Sequence, residues 1–173
     1  MKKSKSLRPL VLGVHPIDRG FGWVVLASPL APIDWAVVEH KKDKNARCLL
    51  SIEKIIERYQ PTTLVLEAFE HGVTQKADRV QRLCRAIVQL ASNRGIETAI
   101  YSRAVIRTCF ASVGAVTRHE IATAIAQHIA AFRHRLPRAR KDYTSEYPNM
   151  ALFCATAAVL AHFAVTGGES GPS

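Results

Sequence analysis

Three polar groups in this chain stand beside the ends of apolar runs, and their types suit the binding of a divalent cation. His15 closes the run Leu10-Val11-Leu12-Gly13-Val14, Glu67 closes Thr63-Leu64-Val65-Leu66, and Glu146 lies just ahead of a long apolar stretch beginning at Met150. A carboxylate is a hard oxygen donor that suits Mg²⁺, whereas an imidazole nitrogen suits Mn²⁺ or Zn²⁺ better. Each group also has a plainer use. A buried strand-end histidine can hydrogen-bond within the core or a turn, Glu67 can be solvated, and Glu146 can complement a helix N-terminus. Basic residues form the second set. Lys76, Arg79, Arg82 and Arg85 follow Glu67, while Arg133, Arg135, Arg138, Arg140 and Lys141 crowd the segment before the last apolar stretch. Side chains of this kind neutralise phosphates, which supplies affinity and salt dependence without base specificity.

The elements that must position these groups alternate along the chain. Residues 9–15, 21–27 and 33–39 read as three consecutive strands of an antiparallel meander, joined by short turns containing Gly20 or Pro29 and Pro32. The spacing of Leu49, Ile52, Ile55 and Ile56 predicts a helix over 45–59, stopped by Pro61. A strand over 62–67 follows. The next helix, over 74–94, turns Val80, Leu83, Ile87 and Leu90 inward and ends at Gly95, where glycine takes a left-handed cap cheaply. A strand over 96–101 completes a five-stranded sheet. Thr117-Arg118-His119-Glu120 has the form of a capping box, which predicts a helix with Ile121, Ile125, Ile129 and Phe132 inward. A basic linker over 133–141 leads to a final helix over 148–165. Residues 1–166 therefore read as a single domain, and the Gly- and Ser-rich 167–173 as a flexible C-terminal tail.

Composition narrows the class of partner. A chain of 173 residues with 48% hydrophobic and 22% charged residues can bury a sizeable core and is not disordered in bulk. Its net charge of +10 favours a polyanion, with nucleic acid as the first candidate. The apolar run 150–165 is short for a membrane span and is interrupted by His162, so it reads as a core helix and no membrane partner is expected. The basic N-terminus lacks a signal-type apolar region, and a cytoplasmic location is expected. Cys48, Cys84, Cys109 and Cys154 are far apart with no Cys-x-x-Cys pair, so buried thiols are expected rather than a zinc site or a disulfide framework.

The order of three hairpin strands, helix, strand, helix, strand and further helices, with His15, Glu67 and residues 146–154 at strand ends and helix head, resembles the RNase H-like nuclease fold. Residues 11–162 as a whole resemble the RuvC-type Holliday-junction resolvases. That resemblance implies an α/β protein with a five-stranded mixed sheet, opened by an antiparallel meander and flanked by helices. It also implies a homodimer acting on branched or double-stranded DNA, with Mg²⁺ or Mn²⁺ held by four acids. Glu67, in Leu66-Glu67-Ala68-Phe69, matches the family's strand-four glutamate, and His15 stands where the family has aspartate. The closing acidic pair can be placed in two ways. Matching the helix start selects Glu146 and Asn149, whereas matching the apolar helix to its histidine, His162, selects Ala151 and Cys154. The implied ligand set is His15, Glu67, Glu146 and Asn149, the first three in catalytic roles, with Asp18, Glu70 and Asp142 as substitutes. The resemblance further places Arg103, Arg107 and Arg118 around a DNA-approaching segment, and Phe69 near a junction wedge, although core packing is the stronger reading of Phe69.

Two functions remain open at this level. One is a metal-dependent endodeoxyribonuclease, in which two cations about 4 Å apart activate water and stabilise the leaving oxygen. The other is a nucleic-acid-binding protein on the same fold with an impaired catalytic site. The acid count separates them. A sugar-kinase or actin-like nucleotide-binding fragment would share the opening hairpin but needs a second, duplicated domain.

Overall fold

The computed structural model describes residues 8–70, 74–139, 141 and 147–168. In chain order the elements are β1 (Val11–Ile17), β2 (Gly20–Ser28), β3 (Ala31–Glu39), α1 (Lys44–Tyr59), β4 (Thr63–Glu67), α2 (Gln75–Asn93), β5 (Glu97–Tyr101), α3 (Arg103–Phe110), α4 (Arg118–His128) and α5 (Met150–Gly168). The sheet runs β3-β2-β1-β4-β5. Its β1–β2 and β2–β3 pairs are antiparallel, and its β1–β4 and β4–β5 pairs are parallel. Short turns suffice for the first two connections, whereas α1 and α2 provide the crossovers that parallel neighbours require. The expected α/β, five-stranded mixed sheet is therefore present.

Alternation along the pleat divides the strands between two cores. Leu12, Val14, Leu64 and Leu66 pack against Cys48, Ile52 and Ile56 of α1 and Leu83 and Ile87 of α2. Val11, Val24, Leu26 and Val65 belong to the opposite core with Ile125, Leu152, Phe153 and Val159. The helix after Glu67 begins where expected, with Thr74 Oγ1 accepting a hydrogen bond from Ala77 N at 3.1 Å. Gly95 takes φ 68° just beyond its end. The capping box is formed as well. Thr117 Oγ1 accepts from Glu120 N at 3.2 Å, while the Glu120 carboxylate accepts from the Val116 and Thr117 amides, both at 2.8 Å. Ile121, Ile125, Ile129 and Phe132 are all buried.

Several boundaries differ from the sequence reading. β1 extends past His15 to Ile17, Gly20 lies in β2 rather than in the turn, and Pro32 lies in β3. α3 was not anticipated. It is eight residues long, starts with Ser102 Oγ accepting from Val105 N at 3.2 Å, and buries Ile106 and Phe110. The basic linker opens with a 3-10 turn, Ala130–Arg135. α5 continues to Gly168, so residues 166–168 are helical rather than part of a tail; 169–173 lie outside the described residues.

α5 is the centre of the second core. It is apolar on all sides and long enough to cross a membrane. Yet every residue from Met150 to Val159 is buried within the protein, in keeping with a core helix. Two glycines let it approach the sheet closely. A Cβ on Gly13 would lie 2.6 Å from the Ala155 carbonyl oxygen, and one on Gly22 would lie 2.3 Å from the Ala151 carbonyl carbon. The helix thus rests directly on the backbone of β1 and β2. Cys48 and Cys154 are buried, Cys84 and Cys109 half-buried, and no disulfide joins the described cysteines.

Candidate functional site

Strand register brings His15 and Glu67 together. Val11 pairs with Thr63 and Gly13 with Val65, so one pleat further on His15 and Glu67 emerge side by side on the face covered by α5. His15 Nδ1 lies 3.7 Å from Glu67 Oε2, and the two side chains are only 14% and 10% exposed. Because α5 sits so low over Gly13 and Gly22, it delivers a third group. A ring nitrogen of His15, a carboxylate oxygen of Glu67 and Sγ of Cys154 all lie within 4.8 Å of one another.

Two arginines converge on the same point. Arg103 opens α3 and Arg118 opens α4, each fixed by the cap that starts its helix. Arg118 Nη2 is 3.5 Å and Arg103 Nη1 3.9 Å from Glu67 Oε1. Arg118 Nη1 also lies 3.8 Å from Cys154 Sγ. Burial, with the positive charges of Arg118 and Arg103, drives the His15 pKa down to about 3. The imidazole is therefore neutral at pH 7, and its approach to Glu67 is not an ion pair. Burial and the charge of Arg118 also lower the pKa of Arg103, against the opposing pull of Glu67.

Among the described residues this donor set does not fit two hard cations. Mg²⁺ sites are built from carboxylate and other oxygen donors, and among the described residues the cluster offers one carboxylate, one neutral imidazole and one thiol. Two divalent ions would add four positive charges beside two guanidinium groups. Each like-charge contact at 4 Å costs about 4 kcal/mol at an effective dielectric of 20, so one carboxylate cannot offset them. One softer cation remains compatible with the nitrogen, oxygen and sulfur atoms.

The two candidates for the closing pair on either side of the α5 start lie in different places. Cys154 stands at Glu67, whereas Asn149, expected as a ligand, precedes α5 and lines the adjoining groove with Val37, Glu39, Arg135 and Arg138. Ala151, the residue paired with Cys154 in the placement on His162, carries no donor atom and lines the cleft. Glu146, Asp142 and Arg140 lie outside the described residues. Asp18 lines the cleft outside the cluster, paired with Arg79 and Lys76. Burial raises its pKa, but Arg79 and Lys76 outweigh that and hold it below the ordinary carboxylate range. Glu70 lines the cleft outside the cluster.

A cleft of about 470 Å³ opens in front of the cluster and is lined by His15, Arg19, Glu67, Phe69, Lys76 and Arg118, among others. Tyr147 and Pro148 join it to a second groove of about 770 Å³ that carries His134, Arg135 and Arg138. Glu67 and Cys154 of the cluster also line a small cavity together with Arg103 and Arg107. Phe69 is half-buried in the cleft wall and outside both cores, contrary to the core-packing expectation.

The expected phosphate ligands separate into groups. Lys76 is exposed at the cleft rim, with Nζ 3.3 Å from Asp18 Oδ2. Arg79 is a structural strut. It donates to Asn45 Oδ1 at 3.0 Å and to the backbone and carboxylate of Asp18, tying α2 to the β1–β2 turn. Arg82 is exposed on α2 outside the cleft and the groove. Arg107 is exposed on α3, and Arg138 and Lys141 are exposed near the second groove or the segment following it. Arg103 and Arg118, expected around a DNA-approaching segment, both reach Glu67, and Arg118 also lines the cleft.

No family model matches this sequence, and no curated protein matches it. The mixed sheet, its helical crossovers and the cleft at its strand ends define an RNase H-like fold. In its RuvC-type form the likeness extends over nearly the whole chain. RuvC of Thermus thermophilus in complex with a Holliday junction substrate superposes with a TM-score of 0.68 at 18% identity, covering 92% of this chain and 96% of that one. A second Thermus thermophilus RuvC structure gives 0.67 at 19% identity, with coverages of 91% and 96%. At these identities the likeness is one of fold.

Proposed function

We propose that this protein binds branched DNA through the strand-end cleft and its basic border, with side-chain cations in place of the paired metals of a two-ion nuclease. The observation that carries this reading is the convergence of Arg103 and Arg118 on Glu67. Positive charge there comes from the chain itself, in a cluster whose described donors include one carboxylate. The net charge of +10, Arg19 and Lys76 in the cleft, and Arg135 and Arg138 in the next groove all favour a phosphate backbone. The fold neighbour in complex with a Holliday junction substrate supports a four-way junction as the first ligand to try. A homodimer belongs to the same proposal, because a two-fold assembly matches the symmetry of such a junction.

The test measures binding to a four-way junction and to a duplex of the same sequence across a salt series, in EDTA and in Mg²⁺. Expected are a steep loss of affinity with salt, tighter binding to the junction, no requirement for metal and no nicking in Mg²⁺. Charge reversal at Arg138, Arg140 and Lys141 weakens binding to every sequence alike. Absence of binding at low salt, or binding insensitive to salt, overturns the DNA reading. Robust Mg²⁺-dependent cleavage overturns the non-catalytic one. A second reading, a metal-dependent endonuclease working weakly with Mn²⁺, is favoured by the His15 nitrogen. It predicts nicking that Glu67→Gln abolishes and that His15→Asp with Ala151→Asp and Cys154→Asp converts to Mg²⁺ dependence.

A further inference from the structure

The geometry points to a single zinc-class cation site formed by His15, Glu67 and Cys154, a different metal centre from the paired hard-ion site that the fold implies. Three donors come from three elements, β1, β4 and α5, so the site exists only in the folded chain. Nitrogen, oxygen and sulfur are the ligand types of zinc, and three protein ligands with one open position are the arrangement of its reactive sites. Ala151, one turn before Cys154 and part of the cleft wall, supplies no donor, which leaves the fourth position to water or to a phosphate oxygen.

The charge of the described donors matches one such ion. A carboxylate and a thiolate together neutralise one divalent cation, and the buried neutral imidazole adds a donor without charge. Arg118 spans two of the same donors, 3.5 Å from Glu67 Oε1 and 3.8 Å from Cys154 Sγ. Its guanidinium therefore competes with the ion. Metal entry swings Arg118 off the pair and frees it toward the cleft that it also lines. On binding, the Cys154 thiol proton passes to solvent and a sulfur–metal bond forms, with no change of oxidation state.

The experiment uses the full chain stripped of metal and titrated with Co²⁺, which reports thiolate ligation by an intense near-ultraviolet band. One equivalent should generate the band, Zn²⁺ should abolish it by displacement, and a large excess of Mg²⁺ should leave it unchanged. Cys154→Ser should remove the band although Cys48, Cys84 and Cys109 remain. His15→Gln should weaken binding at least about tenfold while leaving the thiol in place, given that even outer-shell partners are worth that much. Arg118→Ala should tighten it. Circular dichroism identifies variants that have lost the fold, and the remaining variants then decide. The absence of stoichiometric Co²⁺ binding by the folded wild type, a band that survives Cys154→Ser, or equal competition by Mg²⁺ overturns the inference. DNA binding is measured separately in EDTA, so the failure of either proposal is distinguishable from failure of the other.

Discussion

The two faces of the same strands have been put to different uses. On the face covered by α1 and α2, Leu12, Val14, Leu64 and Leu66 form an apolar layer whose interior ionisable group is the thiol of Cys48. One residue along, the same strands present Gly13, His15, Val65 and Glu67 to α5. The first face holds the sheet together by volume. The second gives up volume at Gly13 and Gly22 so that a helix can come close enough to place a sulfur beside a carboxylate. Stability and chemistry are thus separated by a single step along the pleat.

The sharpest way to test that separation is to damage one face at a time. Leu64→Ala, fully buried on the α1/α2 side, should cost about 2–5 kcal/mol in urea denaturation, as large-to-small core substitutions do. Junction affinity per folded molecule should stay as in the wild type. Gly22→Ala should cost less stability, about 1–3 kcal/mol for overpacking. Its Cβ would press on the Ala151 backbone, lift the head of α5 and weaken thiolate ligation of Co²⁺ well beyond its effect on unfolding. Loss of both properties in the same proportion for the two variants would show that the faces are not independent.

The smallest effect lies away from both faces, at the cap that positions Arg118. Backbone hydrogen bonds from Thr117 and Val116 hold the Glu120 pKa below its ordinary value. A depressed carboxylate contributes stability that is present above its unfolded pKa and lost as pH falls through the lower folded value. The acid side of the stability profile should therefore flatten slightly in Glu120→Gln, whose deficit relative to wild type is present above the ordinary glutamate range and shrinks as the pH falls through and below it. A difference that persists undiminished in strong acid would argue against the titration.

Most of the sheet, α1, α2 and the α4 cap was legible in the sequence because periodicity and capping residues carry local physical signals. Thr117 and Glu120 announced α4, and Gly95 announced the end of α2. α3 escaped notice because a short helix capped only by Ser102 has little periodicity to read. The site was half legible. Glu67 and His15 follow from strand ends and register, but the choice between Asn149 and Cys154 depends on the rotational phase of α5. A helix apolar on every side carries no amphipathic phase, so the sequence alone left both placements open. Nor could local pattern show that Arg103 and Arg118, far apart in the chain, both aim at one carboxylate.

The central place of α5 also bears on how the chain is made. Strands β1 and β2 are synthesised long before the helix that rests on their glycines, and until α5 emerges one side of the early meander lacks the central helix of its core. Such widely separated contacts slow folding and leave hydrophobic surface open to aggregation. On the ribosome, the nascent protein can settle its α1/α2 side first, while the side bearing His15 and Glu67 waits for residues beyond 150. The ligand cluster is therefore among the last features to form, and a chain stalled before α5 would present an exposed sheet to the chaperone machinery.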